Sequence, residues 1–419
     1  MRSIIKIFKN SKSFRIKSQG LSMIPVLWPG DLIYFSKKKT ENLKENDLIL
    51  AFKNEKLFAH RVIYRTAGYL ITKGDNNILC DGRIYPRQVI GTVTKLNRGN
   101  QHIDLENFYL IQSTAYFSEI NKINACLNSG KVNFIFLKGL PIHLYYEKNH
   151  PRRIYADCDV LIDKDQSVLV DKILLSEGFI KHETHYSPIH KYLKNKKTEI
   201  TYSKKSNRIR IVFDIHYEAN FLMNQLGSLS LLYSQKNINK LTSLFLQEKR
   251  IIKISGGNFP VLSADNLVIY LLLHYFHHNF RGVFRLSFID KVIRKDKKID
   301  WKEMAEKIEE YKLNNFMYPG LLLLKKYFLT PVDGNIMSGL KPGRRESAFI
   351  QHKALKENIF NDEERISAGI NRFKYIFILS SEPLIKKFLV FFQPAVLYSA
   401  FWVLIRLLLK KKIKNYHKK

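Results

Sequence analysis

The spacing of apolar residues divides the chain into regions with different predicted structure. Residues 14–97 contain short apolar runs such as Leu48–Phe52, separated by clusters of Gly, Asn and Asp. Short runs between turn residues are typical of β-strands, so we predict an all-β module here. A basic segment over 1–13 precedes this module, and residues 98–104 are predicted to be a linker.

Strand and helix patterns alternate between residues 105 and 260. The predicted elements are helices over 106–128 and 164–177 and strands over 133–137, around 157–162, and over 198–203 and 208–217. Alternation followed by consecutive strands predicts a mixed α/β or α+β sheet. Residues 261–380 show mainly helical spacing, beginning after Ser263, whose side chain suits a helix N-cap.

The segment 384–412 is apolar and flanked by lysines. Its most apolar part, 388–409, would span about 33 Å as a helix, which is enough for the core of a bilayer. Gln393, Pro394 and Arg406 interrupt that stretch. Two interpretations stay open: a membrane-associated helix, and a helix that is buried or docks on a partner.

Composition indicates a folded chain with a strong positive charge. At 419 residues two or three domains are expected, and 70 basic against 37 acidic side chains leave a net charge of +33. Three scattered cysteines without CxxC spacing argue against a disulfide framework or a zinc site. The N-terminus lacks the apolar core of a signal peptide, so we expect a cytoplasmic protein that can associate with the cytoplasmic face of a membrane.

The pair Asp157 and Asp159 is the clearest sign of chemistry. The apolar, β-branched residues that follow predict a buried strand, and side chains on a strand repeat every two residues. Both carboxylates therefore point the same way. Adjacent carboxylates repel unless a cation lies between them, and a magnesium ion is the simplest candidate.

Three segments together resemble the uncharacterised nucleotidyltransferase family. They are FIFLKG at 134–139, RIYADCD at 153–159 and VFDIHY at 212–217, and the resemblance extends over residues 110–300. It implies that Asp157 and Asp159 bind Mg²⁺ and that Asp214 completes the metal site or acts as a base on the acceptor hydroxyl.

The same resemblance implies a nucleotide-binding role for Lys138, Gly139 and Arg153. Gly139 would begin a helix whose N–H groups receive phosphate, Lys138 would supply positive charge, and the planar fork of Arg153 would clamp a phosphate. The superfamily usually carries Gly-Ser or Gly-Gly at this turn, whereas this chain continues with Leu140 and Pro141.

A second pattern lies in the β module. The segments GLSMIPVLWPGD at 20–31, AHRVI at 59–63 and TKGDNN at 72–77 resemble the boxes of the signal peptidase and LexA-type serine peptidases. The resemblance implies a Ser22 nucleophile and a His60 base, with Asp81 orienting the imidazole and Asp75 as the alternative. Trp28 is expected to pack in the core.

These observations predict a multidomain protein. A signal-peptidase-like all-β module is followed by a nucleotidyltransferase-like mixed sheet with a helical extension. Expected partners are a nucleoside triphosphate, a peptide or protein substrate and an anionic membrane surface, and Mg²⁺ is the expected cofactor. Nucleic acid is not expected, because no recognition helix or aromatic-basic motif is present. The alternative is that one or both modules bind peptide or nucleotide without catalysis.

Two histidines at helical spacing, His274 and His278, suggest either polar packing or metal binding. The pair would lie on one face of a helix, and that spacing permits a shared metal ion. No glutamate of an H-E-x-x-H motif accompanies it, so we favour polar packing, with Asp290 as the expected partner.

Overall fold

The computed structural model describes residues 8, 11–147, 152–182, 198–206, 209–223 and 229–416, with side chains described as far as residue 405. Most of the basic segment 1–13, and the side chains of Arg406 and of the lysines at 410–412, lie outside this described part. Within it, an antiparallel sheet is followed by a mixed sheet and a set of helices. The predicted order of β module, mixed sheet and helical extension is confirmed.

The first sheet is antiparallel, and its eight strands follow the order β1-β2-β7-β3-β4-β5-β6, with β8 paired to β7. The strands are β1 Ser13–Lys17, β2 Leu32–Ser36, β3 Leu48–Lys53, β4 Lys56–Arg65, β5 Leu70–Lys73, β6 Arg83–Ile84, β7 Val89–Arg98 and β8 Gln101–Asp104. Burial alternates along β2, where Ile33 and Phe35 face the core, as a half-buried strand requires.

Residues 98–104 are not the predicted linker. Arg98 ends β7, residues 99 and 100 form a turn, and β8 pairs back onto β7. The polar composition suggested a linker because one side of this edge hairpin is exposed. The first long helix begins directly after β8, and Asp104 caps it by accepting a hydrogen bond from the Asn107 N–H.

The second sheet is mixed and follows the order β11-β12-β13-β10-β9-β15-β14. Its strands are β9 Phe134–Lys138, β10 Cys158–Ile162, β11 Ile180–His182, β12 Glu199–Ser206, β13 Ile209–His216, β14 Lys249–Ile254 and β15 Gly257–Leu262. The central strand β10 runs parallel to β13 and antiparallel to β9. All five of its residues are buried, which explains its continuous apolar pattern.

Thirteen α-helices lie within the described part of the chain. They are α1 Leu105–Ser129, α2 Leu140–Glu147, α3 Ser167–Ser176, α4 Gln235–Gln247, α5 Ala264–His277, α6 Val283–Lys295, α7 Trp301–Glu310, α8 Asn314–Phe328, α9 Gly334–Gly339, α10 Arg344–His352, α11 Arg365–Leu379, α12 Leu384–Leu389 and α13 Pro394–Tyr416. Ser263 caps α5 as expected, because its hydroxyl accepts a hydrogen bond from the Asn266 N–H.

One large core joins the mixed sheet to the helices and to the edge of the β module. It reaches from Tyr64 and Ile71, on β4 and β5, to Val396 in α13. The Tyr64 hydroxyl donates a hydrogen bond to the Tyr327 carbonyl at the end of α8, over 2.8 Å. The β module is therefore packed against the helical region and does not stand apart from it.

The C-terminal segment is broken where Gln393 and Pro394 interrupt its apolar pattern. Among the described residues, no single helix is long and apolar enough to cross a membrane. The pair Leu384–Phe392 and Pro394–Ile405 meets that test by length and composition when taken together, although the two parts are bent by 65°.

Candidate functional site

Strand register brings a row of polar side chains together in the centre of the mixed sheet. Asp159 on β10 lies opposite Lys138 on β9 and opposite Asp214 on β13. Asp214 in turn lies opposite Thr201 on β12. Residues directly opposite one another share a face of the sheet, so the fold converts distant sequence positions into one cluster.

The three carboxylates predicted to hold a metal come together. One ligand oxygen each from Asp157, Asp159 and Asp214 lies within 4.8 Å of the others, and no other such group of three acidic, histidine or cysteine ligands exists in the described residues. Asp159 is almost fully buried, and its Oδ2 receives no hydrogen bond of good geometry. Carboxylate oxygens are the ligands that Mg²⁺ prefers, so these residues fit a divalent metal.

Burial and neighbouring charges shift the pKa values of the three carboxylates in different directions. Burial and the neighbouring Asp159 raise the pKa of Asp157. Burial also raises the pKa of Asp214 to about 6, although the Thr201 hydroxyl donates a 2.6 Å hydrogen bond that works against this shift. Burial alone would raise the pKa of Asp159 as well, but Lys138 and His216 outweigh it and hold that pKa below its ordinary value.

Lys138 lies between two of the carboxylates. Its Nζ is 3.0 Å from Asp159 Oδ2 and 3.7 Å from Asp157 Oδ2. Gly139 follows with φ of +107°, a conformation that favours glycine, and α2 begins at the next residue. Pro141 lies in the first turn of α2 and has no N–H, so this helix offers fewer backbone donors than a typical phosphate-binding helix.

His216 is part of the site, although we did not predict a role for it. Its Nε2 lies 3.0 Å from Asp159 Oδ1, and its Nδ1 lies 3.5 Å from Glu199 Oε2. Burial lowers the pKa of this histidine, but the two carboxylates raise it above the ordinary value overall. The sequence could have indicated this role, since Asp214 and His216 are two residues apart on one strand and therefore share a face of the sheet.

A cavity of about 220 Å³ lies over this row, and residues of α5 form part of its lining. Its lining includes Lys138, Asp159 and Asp214 from the sheet, and His274, His277 and His278 from the region of α5. The histidines are therefore part of the site wall.

The expected contact between the histidine pair and Asp290 is wrong. Asp290 accepts hydrogen bonds from Thr330 and Arg294 instead. The rings of His274 and His278 pack against each other at 4.7 Å, and burial is the main cause that lowers the pKa of each.

Arg153, predicted to clamp a phosphate, lies elsewhere. Its Nη2 is 3.5 Å from Glu147 Oε1, and its guanidinium lies over the ring of Tyr155. It does not line the cavity. Spacing in the sequence cannot show that Glu147, at the end of α2, contacts this arginine, and the phosphate-binding role of Arg153 stays a prediction.

The β module contains a second constellation around Ser22. His60 Nε2 lies 3.0 Å from Ser22 Oγ, and His60 Nδ1 lies 2.7 Å from Asp81 Oδ2. Thr72 also donates a hydrogen bond to Asp81 Oδ2, over 2.7 Å. A hydroxyl, an imidazole and a carboxylate in this order are the arrangement that activates a serine nucleophile.

Two strands and a tight turn position this triad. His60 comes from β4, and Asp81 follows β5. The turn at Gly74 passes so close to Ser22 that a Cβ at Gly74 would lie 2.6 Å from the Ser22 carbonyl oxygen. The Asn76 N–H donates a 2.7 Å hydrogen bond to the same carbonyl. Only glycine fits so close to the Ser22 carbonyl oxygen, and the turn thereby holds the serine in place.

Asp75, the alternative partner of His60, has another role. Both of its carboxylate oxygens accept hydrogen bonds from Arg61, each over 2.7 Å. Arg61 also donates to the Tyr109 hydroxyl of α1, so this pair links the two modules. The expectation for Trp28 is wrong as well, since that side chain is 46% exposed.

Comparison with known proteins identifies a family for the segment that contains the carboxylate site. The sequence matches the model of a family described as uncharacterised nucleotidyltransferase over residues 107–329, slightly more than half of the chain. No curated protein matches the sequence. The matched segment contains β9, β10 and β13 together with α5 and α6. The chain therefore belongs to the uncharacterised nucleotidyltransferase family.

Proposed function

We propose that the protein is a magnesium-dependent nucleotidyltransferase. The observation that carries this proposal is the convergence of Asp157, Asp159 and Asp214 within 4.8 Å, inside the segment that matches the family. Asp159 and Asp214 also line the cavity. A bound Mg²⁺ would neutralise charge on the triphosphate and polarise its α-phosphorus.

Side chains of the site would hold the metal, position its ligands and accept the proton. Asp157, Asp159 and Asp214 would hold the metal, and His216 would keep Asp159 in place through its 3.0 Å contact. An acceptor hydroxyl oxygen bonds to the α-phosphorus, the bond to the β-phosphate oxygen breaks, and pyrophosphate leaves with the electron pair. We assign the hydroxyl proton to the Asp214 carboxylate oxygen that does not hold the metal, since this side chain lines the cavity.

The fate of two isotopic labels tests this reaction. The full chain is incubated with Mg²⁺ and each nucleoside triphosphate, labelled at the α- or the γ-phosphorus, and with peptides, proteins and sugars as acceptors. We expect α-label on an acceptor and γ-label in pyrophosphate, both dependent on Mg²⁺. Transfer of γ-label, release of orthophosphate alone, or no product with any acceptor would contradict the proposal.

A second activity is proposed for the β module because a specific geometry favours it. The 3.0 Å and 2.7 Å contacts that join Ser22, His60 and Asp81 support a serine endopeptidase-like activity. Leu21, the residue directly before Ser22, is 60% exposed and offers an apolar surface for a peptide. The presence of both modules in one chain motivates the further proposal that a peptide or protein is both cleaved and nucleotidylated during its maturation.

We also propose that the C-terminal segment binds an anionic membrane surface. Ile385 is 80% exposed, Phe392 is 75% exposed, and Phe388, Phe401 and Trp402 are exposed beside them. A cluster of exposed apolar side chains of this kind marks an interaction site. Lysines at 410–412 follow in the sequence, and an apolar surface beside basic residues suits anionic lipid headgroups.

Sedimentation with vesicles tests this membrane proposal. We expect the chain to bind phosphatidylcholine vesicles that contain phosphatidylglycerol, and to bind pure phosphatidylcholine more weakly. Phe392→Glu is expected to weaken binding about tenfold or more, because burial of one large apolar side chain is lost. Leu329→Glu, which alters an equally exposed residue outside this segment, is the control. Equal binding by Phe392→Glu and the wild type would refute the proposal.

A further inference from the structure

Two arginines of the helical region lack an acidic partner. They are Arg285 in α6 and Arg372 in α11, and the Nε of each is buried without a hydrogen-bond partner. Among the described residues, no carboxylate forms an ion pair with either guanidinium. The nearest acids are engaged elsewhere, since Asp362 pairs with Lys73 and Glu363 contacts Arg281.

Arg372 contacts the wall of the carboxylate-site cavity without lining it, and Arg285 acts on the same wall through its charge. Arg372 Nη1 is 2.9 Å from Nε2 of His277, which lines the cavity. The guanidinium of Arg285 lies over the ring of Phe284, and its Nη1 is 3.5 Å from the Arg281 carbonyl oxygen. Its charge also reaches the carboxylate site, where it helps to lower the pKa of Asp157 against the effect of burial.

Nearby carboxylates compensate the two guanidiniums only in part, since Asp362 acts on Arg285 and Glu363 acts on Arg372 without forming an ion pair. Burial lowers the pKa of each to about 10, and the charge of Arg372 adds to this effect at Arg285. Neighbouring imidazoles do not offset the charge, because they can only be neutral or positive. Buried cations without partners are costly unless an anion binds between them.

The carboxylate site needs positive charge from outside its own strand and turn. Lys138 is already within 3.0 Å of Asp159, Arg153 is paired with Glu147, and Pro141 removes one backbone donor from α2. The turn at Gly139 also has no serine hydroxyl. A nucleoside triphosphate carries several negative charges, and one metal ion neutralises only part of them.

We propose that Arg285 and Arg372 form a polyphosphate subsite that receives the terminal phosphates of the nucleotide and retains them as pyrophosphate leaves. This inference rests on the proposed nucleotidyl transfer for its biological meaning. The binding itself requires neither metal nor transfer. The planar fork of arginine matches phosphate oxygens and makes charge-assisted hydrogen bonds to them.

Calorimetric titration of the full chain with inorganic tripolyphosphate, in EDTA, tests the subsite without catalysis. We expect saturable binding that weakens about tenfold or more in Arg285→Met and in Arg372→Met, because each loses charge-assisted hydrogen bonds. Their melting temperatures are expected to equal or exceed that of the wild type, since a buried repulsion is relieved. A lower melting temperature with unchanged tripolyphosphate affinity would show that the arginines are only structural.

Lys374→Met is the matched control, because it removes one exposed positive charge from α11. If it weakens binding as much as Arg372→Met, the affinity reflects net charge and the subsite is refuted.

Asp159→Asn separates the two proposals, since it should abolish nucleotidyl transfer and leave tripolyphosphate binding intact. Transfer with unaltered tripolyphosphate affinity in both arginine variants would refute the subsite alone. Selective loss of affinity without any transfer would support the subsite and refute the proposed reaction.

Discussion

The Asp159→Asn variant is expected to lose nucleotidyl transfer by about 10³-fold or more, because it removes one of the three carboxylates proposed to hold the metal. Asp159 is buried and lies at the centre of the cluster, where it also contacts Lys138 and His216. The initial rate of pyrophosphate formation, measured at saturating Mg²⁺ and nucleotide, reports this loss.

Matched variants distinguish a metal ligand from a general change of charge. Asp157→Asn and Asp214→Asn are expected to show losses of similar size, since each supplies one of the three convergent oxygens. Asp165→Asn, at an exposed position outside the site, should retain the wild-type rate. A wild-type rate in Asp159→Asn would exclude the carboxylate cluster as the catalytic centre.

The second large effect is expected at Ser22. A fluorophosphonate probe should label the wild-type chain once, because Ser22 Oγ attacks phosphorus, fluoride leaves, and His60 accepts the hydroxyl proton. Intact-mass spectrometry should show that Ser22→Ala lowers the rate of labelling by about 10⁴-fold or more, the scale expected when a triad loses its nucleophile.

Further variants assign the other members of the triad. His60→Ala should reduce labelling nearly as strongly as Ser22→Ala, whereas Asp81→Asn should reduce it less, since it acts through the imidazole. Ser36→Ala, on β2, is the control and should be labelled like the wild type. Labelling of Ser22→Ala at the wild-type rate would show that Ser22 is not an activated nucleophile.

The carboxylate site was predictable where local periodicity determined the outcome. Asp159 lies on β10 and Asp157 directly precedes that strand, so the two-residue repeat of extended chain relates them, and it relates Asp214 to His216 on β13. Their convergence required one further fact, the parallel pairing of β10 with β13, which places Asp159 opposite Asp214. Family resemblance indicated in advance only that Asp214 belongs to the site, because spacing alone gives no register between distant strands.

Charge pairing was the part that the sequence did not reveal. Arg153 and Asp75 were assigned functional roles, yet Glu147 and Arg61 engage them. Conversely, Arg285 was one of 70 basic residues until the fold showed that it lacks a partner. Which cation meets which anion depends on side chains that approach from separate elements, and no local pattern encodes it.

The prediction of a linker over residues 98–104 was wrong for a related reason. The polar residues of this segment match both a linker and an exposed edge strand, and only pairing with the neighbouring strand distinguishes the two. The C-terminal segment shows the opposite case. Its break at Pro394 was visible in the sequence, because proline in the interior of a helix removes a hydrogen bond and bends the chain.

Anomalous scattering from crystals grown with Mn²⁺ and a nucleotide analogue that cannot be cleaved between the α- and β-phosphates tests the metal centre most directly. We expect a manganese peak at bonding distance from carboxylate oxygens of Asp157, Asp159 and Asp214 and from an α-phosphate oxygen. The same crystals of Asp159→Asn should lack that peak. A triphosphate bound away from these carboxylates, or manganese bound at the histidines of α5 instead, would contradict the proposed transferase site.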